Sequence, residues 1–179
     1  IFIILALINL LNYIDRQVLY AVFPLIKQDL FLSDKQLGFL ASAFMLVYMF
    51  SAPVLGYIAD RTPRQKIIAF GAFLWSIATS ACACARNYFA LIFARSLVGV
   101  GESGFTSVCP SFIAEKFSPK VRARVLALFA LGLPLGSALG YLLGGILGKS
   151  FGWRLAFLIL GLPGIILSFI VYFKIKDTA

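Results

Sequence analysis

The chain has 179 residues, of which 61% are hydrophobic and only 13% carry a charged side chain. An ordinary soluble domain has about 45–50% apolar and about 25% charged residues, so this composition excludes a soluble globular domain and favours a lipid bilayer as the solvent. The net charge of +9 does not indicate nucleic-acid binding, because the basic residues fall in short gaps between apolar runs rather than on one face or tail.

Six apolar runs are long enough to cross a membrane as helices, which takes about 20 residues each. Ser33 or Asp34 is expected to cap the second helix, and short turns containing Pro or Gly separate the later ones. The predicted spans are Ile1–Ile26, Gln36–Ile58, Ile67–Ala85, Tyr88–Ile113, Val121–Leu147 and Trp153–Phe173. We therefore predict an all-α membrane protein, with one transmembrane bundle over residues 1–179.

The basic residues between the spans predict the orientation of the bundle, because Lys and Arg favour the cytoplasmic side. Nine lie on the side that contains the chain start and the end of the sixth helix, and five lie on the other side. The nine are Arg61, Arg64, Lys66, Lys116, Lys120, Arg122, Arg124, Lys174 and Lys176. The first residue and the end of helix six are therefore predicted to be cytoplasmic.

Four charged residues lie inside predicted spans and away from the span ends: Asp15 and Arg16 in the first, Arg95 and Glu102 in the fourth. A charge near the bilayer centre costs at least about 2.5–3.5 kcal/mol on insertion scales, so it is normally paired or faces a cavity, and it usually has a function. The two helices run in opposite directions, which puts the four charges at overlapping depths. We predict that Asp15 pairs with Arg95, and Arg16 with Glu102, in at least one state.

The first helix carries a polar stripe, because Asn9, Asn12, Tyr13 and Arg16 share one face. Such a stripe needs a cavity or a protein partner inside a membrane. On the fourth helix, Gly99 lies between the two charges and is predicted to leave the space between them open. A structural ion pair that locks two helices explains the stripe equally well, so both interpretations stay open.

The loop after the second span contains Gly56, Asp60, Arg61 and Arg64. Its acid and its bases lie where a helix leaves the membrane, and a helix N-terminus would suit Asp60 because its dipole end is positive. A generic cytoplasmic loop is the alternative.

A row of glycines on the fifth span, each four residues from the next, predicts a face for close helix packing. The row consists of Gly132, Gly136, Gly140, Gly144 and Gly148. Its expected partner is another helix, either the second or one from outside the chain.

The sequence favours neither an enzyme nor a cofactor-binding protein. It has no histidine, its three cysteines show no metal spacing, and no nucleophile–base pair is visible. The pattern Gly99-Val-Gly101-Glu-Ser-Gly104 fits a dinucleotide motif, but that motif requires a strand before it, and here it lies inside a membrane span. We expect no metal and no cofactor.

Together these motifs resemble the N-terminal six-helix half of a major facilitator superfamily transporter. The loop signature of that family is a glycine, three residues, Asp-Arg and a basic cluster, from which this chain departs at Pro63 and Gln65. The segments Asn12-Tyr-Ile-Asp15-Arg16 and Arg95-Ser-Leu-Val-Gly-Val-Gly-Glu102 are similar to the Spinster-like branch, which is linked to export of lysolipids and sphingoid phosphates. A branch of organic anion:cation symporters shares parts of both segments.

The resemblance implies a twelve-helix transporter built from inverted three-helix repeats, working by alternating access on an amphipathic or anionic substrate such as a lysolipid. Helices one and four would line the cavity, with Asn12 and Tyr13 on its wall. Arg16 and Arg95 are the candidate anion contacts, since guanidinium pairs well with phosphate and carboxylate. Asp15 and Glu102 are the candidate proton carriers, and the Gly56–Arg64 loop would act as a conformational latch.

The implied partners are a C-terminal six-helix half, absent here, together with the bilayer, the substrate and protons. A multi-pass protein of the bacterial inner membrane or of a plasma membrane is expected. Two alternatives remain: a symporter of organic anions resembling sugar acids, and a non-transporting scaffold or receptor on the same fold.

Overall fold

The structure, a computed structural model, describes residues 1–175, so Lys176 lies outside the described residues. Over that range the chain is helical, with short connections. The helices are α1 (Phe2–Ala21), α2 (Phe23–Asp29), α3 (Asp34–Ala59), α4 (Arg64–Cys82), α5 (Tyr88–Lys116), α6 (Pro119–Ala130) and α7 (Gly132–Lys174).

The helices differ from the predicted spans at three breaks. Two of them lie inside spans that were predicted as continuous, and the third lies between two predicted spans, inside α7. The first span is interrupted at Val22, because Pro24 in the first turn of α2 has no N–H to continue the α1 ladder. The fifth span is divided at Leu131 into α6 and the first segment of α7. Gly152, with φ 82° and ψ 159°, separates α7 into segments 132–151 and 153–174. The first segment contains the second part of the predicted fifth span, and the second segment corresponds to the sixth.

The N-terminus of α3 carries a capping box. The hydroxyl of Ser33 accepts a hydrogen bond from the backbone N–H of Gln36, and the Gln36 side chain accepts one from the Ser33 backbone. Two otherwise unpaired backbone donors are thereby satisfied. Of the two cap candidates in the sequence, Ser33 is the cap and Asp34 is the first residue of the helix.

By length and apolar composition, four stretches of the described chain are able to cross a membrane. They are Phe2–Ala21, Asp34–Ala59, Arg64–Cys82 and Pro119–Lys174. The last has 56 residues, enough for two crossings, and its two parts turn at Gly152. α5 has 29 residues and the length to cross, but it is not among the four.

Each long helix packs mainly on one or two neighbours, and the spatial order of neighbours is α3, α5, α4, α7 and α1. Glycines allow the closest approaches: a Cβ on Gly101 of α5 would lie 2.5 Å from the backbone nitrogen of Trp75 on α4. The glycine row of α7, including Gly136, Gly140 and Gly144, packs on α1, where a Cβ on Gly140 would lie 2.7 Å from the Ile14 carbonyl oxygen. The prediction of the second helix or an outside helix as its partner was therefore wrong.

The buried apolar side chains form two clusters, one toward each end of the bundle. One contains Leu5 from the start of α1 and Phe112 from the end of α5, and the other contains Ile26 of α2 and Leu91 from the start of α5. The buried charges lie close to the boundary between these two sets: on α1, Asp15 follows Ile14 of the second set, and on α5, Arg95 lies between Ala94 of the second set and Val98 of the first. The polar residues therefore occupy the middle of the bundle.

Candidate functional site

A group of polar side chains lies where α1, α4 and α5 meet in the middle of the bundle. α1 contributes Asn12, Asp15 and Arg16, α5 contributes Arg95 and Glu102, and α4 contributes Trp75 and Thr79. We call these seven residues the charge cluster. Its four charged members have no net formal charge, which limits the cost of placing them in a membrane protein.

Arg16 and Glu102 form the predicted ion pair between α1 and α5. The Nε–H of Arg16 donates to Oε2 of Glu102, which is fully buried, whereas the Arg16 side chain is 19% exposed. The rings of Tyr13, Phe44 and Tyr48 lie 4.9–5.5 Å from the guanidinium carbon, within cation–π range. Arg16 is therefore held by one carboxylate and three aromatic rings, with part of its side chain at the surface.

A chain of two hydrogen bonds connects Tyr48 of α3 to α5. The hydroxyl of Thr106 donates to the carbonyl oxygen of Glu102, 2.9 Å away, so its single proton is used there. The Tyr48 hydroxyl, 2.6 Å from Thr106 Oγ1, must then be the donor in that contact. This chain of hydrogen bonds orients the Tyr48 ring beside Arg16.

The predicted Asp15–Arg95 ion pair is not formed in this conformation, although both side chains are about 99% buried. Asp15 Oδ2 instead accepts a hydrogen bond from the Thr79 hydroxyl on α4, at 3.5 Å. The Arg95 guanidinium lies 5.1 Å from the Phe44 ring and is close enough to both carboxylates to attract them. Asp15 and Arg95 thus belong to the same cluster without forming an ion pair.

Several buried atoms of the charge cluster have no hydrogen-bond partner within residues 1–175. They include Oδ1 of Asp15 and both Nε and Nη1 of Arg95. Buried polar atoms are normally hydrogen-bonded, so atoms of this kind require an explanation, such as a change of partners between conformations. The cluster has more donors and acceptors than its own members satisfy in this arrangement.

Gly99 does not keep a space open between Arg95 and Glu102, as the sequence suggested. A Cβ at Gly99 would lie 2.8 Å from the carbonyl oxygen of Phe44 and 3.3 Å from the nitrogen of Tyr48. The small residue lets the α3 backbone approach α5 and fill the space. The prediction failed because the sequence does not show which neighbouring helix comes closest.

The six candidate wall residues differ in their access to the surface. Asn12, Asp15, Arg95 and Glu102 are buried inside the bundle, whereas Tyr13 and Arg16 are partly exposed. Asn9, from the same polar stripe, is also buried and donates to the carbonyl oxygen of Phe129, at 2.7 Å. A molecule outside this bundle therefore meets Arg16 and Tyr13 first.

The predicted latch loop lies at the other end of α3. Asp60 is the C-terminal cap of α3 and is exposed, and the Arg61 guanidinium lies 3.6 Å from the Tyr57 ring centre. Arg64 forms an ion pair with Glu115, which joins the start of α4 to the end of α5. A Cβ on Gly56 would meet nothing within 4 Å, so that face of α3 is free of close neighbours within residues 1–175.

The residues of α3 and α4 around the charges were missed by the sequence reasoning. Trp75 and Thr79 are four residues apart and share one face of α4, and that spacing of two side chains able to donate a hydrogen bond was the available signal. Phe44 and Tyr48 are four residues apart and give no such signal, since aromatic pairs at this spacing are common in apolar helices. Among residues 1–175, no group of three His, Cys, Asp or Glu side chains is placed to hold a metal.

Comparison with known proteins identifies the class. Residues 5–179 match the Major Facilitator Superfamily, and the chain belongs to that family. Within it, the chain is 36% identical to Protein spinster homolog 1 of Xenopus tropicalis and 34% identical to a sphingosine-1-phosphate transporter of Mus musculus. Each alignment covers 98% of this chain but only 34% and 32% of those relatives, so the chain spans about a third of their length.

Solved structures agree with this placement. A bacterial homolog of the human lysosomal transporter Spinster, in an inward-facing and occupied conformation, matches with a TM-score of 0.93 and 31% identity, over 99% of this chain and 44% of that one. The unoccupied inward-facing form matches with a TM-score of 0.91. A peptide transporter, at 19% identity and a TM-score of 0.83, shares the fold. The chain is a Spinster-like, multi-pass membrane protein with half of the superfamily fold.

Proposed function

We propose that this chain is the N-terminal six-helix half of a secondary transporter that moves an amphipathic anion, such as a lysolipid, by alternating access. The observation that carries the proposal is Arg16, a cation placed by a buried carboxylate and three aromatic rings with part of its side chain at the surface. An anionic headgroup suits the guanidinium, and the rings suit the apolar part next to it.

The proposed transport requires a second six-helix half as partner, whose cavity face would meet Arg16 and Tyr13. We also propose the orientation that the basic residues predict, in which the start of α1 and the end of α7 lie in the cytoplasm. The proposed location is the bacterial inner membrane or a plasma membrane. We propose in addition that one loop acts as a conformational latch, formed by Gly56, Asp60, Arg61 and Arg64. It is supported by the exposed position of Asp60 and by the free face at Gly56.

We further propose that Asp15 and Glu102 exchange partners, and a proton, during the cycle. Arg95 is within electrostatic range of both carboxylates and is ion-paired to neither, so a shift of α1 relative to α5 would let it replace Arg16 on Glu102 or Thr79 on Asp15. Burial disfavours the charged form of a carboxyl and a nearby cation favours it, so an exchange of partners is able to release or take up a proton.

Uptake by proteoliposomes that contain the full-length protein tests the proposal. Labelled lysophospholipid should be taken up and a sugar acid should not, and an imposed pH gradient should drive the uptake. Asp15→Asn and Glu102→Gln should abolish the effect of the gradient, because neither variant carries an acidic proton. Full gradient-driven uptake by both variants would exclude these residues as proton carriers, and uptake of the sugar acid alone would favour the organic anion symporter.

A scaffold or receptor on the same fold is a second candidate, because three of the four charges are buried within the bundle. In that case the cluster would be a fixed structural lock. Binding of labelled lysophospholipid without any uptake, in the same vesicles, would favour this candidate over a transporter.

A further inference from the structure

An apolar groove lies between the start of α4 and the end of α7, and none of its residues belongs to the charge cluster. It has a volume of about 370 Å³ and is lined mainly by Ala69, Phe70, Phe73, Phe169 and Tyr172, with Lys66 at one end. That volume is within the range of about 300–1,000 Å³ typical of small-molecule sites.

The walls of the groove are aromatic and have no unsatisfied polar group. The rings of Phe73 and Phe169 meet edge to face with centroids 5.8 Å apart, and they connect the two helices. Ser168, also in the lining, is buried, but its hydroxyl donates to the carbonyl oxygen of Ile165 at 2.7 Å. Phe70 and Phe169 are 55% and 51% exposed, so the groove opens along an apolar surface. A flexible hydrocarbon chain fits these walls without losing a hydrogen bond.

The charge at the end of the groove is positive. Lys66 is exposed and forms no ion pair with an acidic side chain of residues 1–175. Exposed Lys174 follows Phe173, which also lines this end. A ligand with an apolar chain and an anionic head would therefore bury the chain along Phe73 and Phe169 and place the head at Lys66.

We propose that this groove binds one acyl chain of an anionic phospholipid, with the phosphate at Lys66. A membrane lipid is the occupant that combines both features, and basic side chains near a membrane surface attract anionic lipids. The site would be a structural lipid site on the outside of the bundle, separate from the proposed transport route past Arg16.

Native mass spectrometry of the full-length protein tests this proposal, using equal amounts of dioleoylphosphatidylglycerol and dioleoylphosphatidylcholine. The unchanged protein should retain more phosphatidylglycerol. Lys66→Gln should lower that preference about fivefold, the factor expected from one lysine near an anionic surface. The control Lys35→Gln, at an exposed lysine on the start of α3, should leave the preference unchanged.

A second pair of variants tests the apolar wall. Phe169→Ala should lower the retention of both lipids, whereas Phe93→Ala, at a ring on α5 that is 67% exposed, should not. Both rings are at the surface, so neither change should prevent folding. Equal retention of the two lipids by the unchanged protein would overturn the proposal, and so would an equal loss of preference in Lys66→Gln and Lys35→Gln. Another protein segment that covers the groove would give the first of these results.

Discussion

Arg16 and Arg95 carry the same charge in different surroundings, and that difference separates their roles. Arg16 has a carboxylate partner and partial exposure, whereas Arg95 is buried and forms no ion pair with an acidic side chain of residues 1–175. Breaking a buried pair by removing one partner leaves a charge without compensation, which is more costly than removing both partners. The Arg16–Glu102 pair is therefore expected to be strongly coupled.

A double-mutant cycle with Arg16→Gln and Glu102→Gln tests this coupling. We expect a coupling energy of about 1–3 kcal/mol from unfolding of the purified protein in detergent, the upper range for contacting residues. The cycle Lys27→Gln with Asp34→Asn is the control, because that pair is 43% and 84% exposed. Exposed pairs contribute about 0.2–1 kcal/mol. Equal coupling energies in the two cycles would contradict the claim that the Arg16–Glu102 pair is more strongly coupled than an exposed pair.

The residues of the cluster were predictable from the sequence where a charge interrupts an apolar run, as at Asp15, Arg16, Arg95 and Glu102. Of the two predicted ion pairs between these residues, only one forms in the structure. Opposite helix directions correctly put Arg16 beside Glu102, but Asp15 meets Thr79 instead of Arg95. The depth of a residue follows from its position along a helix, whereas the choice between neighbours depends on helix rotation, which the sequence does not specify.

At the scale of helices, glycines determine how closely neighbours approach. The row on α7 was visible in the sequence as a packing face, yet its partner is α1 because α7 lies between α4 and α1 in the bundle. Gly145 lies on the same segment but faces open space, with nothing within 4 Å of an added Cβ. Position on the helix, and not glycine content, therefore decides which glycines are required.

Gly140→Ala and Gly145→Ala form a matched pair that tests the α1–α7 contact. At Gly140 the new methyl group would lie 2.7 Å from both the Ile14 carbonyl oxygen and Gln17 Cβ, so the helices must separate. Overpacking of this kind costs about 1–3 kcal/mol, and a fall in Tm should show it. Gly145→Ala should leave Tm unchanged or raise it slightly. A similar loss in both variants would show that the close contact is not the cause.

Gly152 tests the turn between the last two membrane segments. Its φ of 82° and ψ of 159° belong to a region that is open essentially to glycine alone, and an added Cβ would meet no neighbour. Gly152→Ala should therefore destabilise the protein by about 1–3 kcal/mol through backbone strain only. If the variant unfolds at the same Tm as the unchanged protein, then the turn is not strained in solution.

At the scale of the whole molecule, the chain spans 44% of the matched inward-facing transporter and about a third of its curated relatives. In the function proposed above, a second six-helix half would supply the opposite wall of the cavity. The six-helix bundle was predictable because apolar runs of membrane length dominate the sequence. The breaks at Val22 and Leu131 were not, since a proline near a break shifts a helix end by an amount that packing decides.

Solvent access to a cysteine at position 13, next to Arg16 on the partly exposed face of α1, is the most direct test of alternating access. The measurement uses the full-length protein in vesicles, with Tyr13→Cys added to a Cys84→Ser background because Cys84 is the exposed cysteine among Cys82, Cys84 and Cys109. Labelling by a membrane-impermeant maleimide from each side should change when lysophospholipid is added. Identical labelling from both sides, with and without lysophospholipid, would contradict a moving cavity at Arg16.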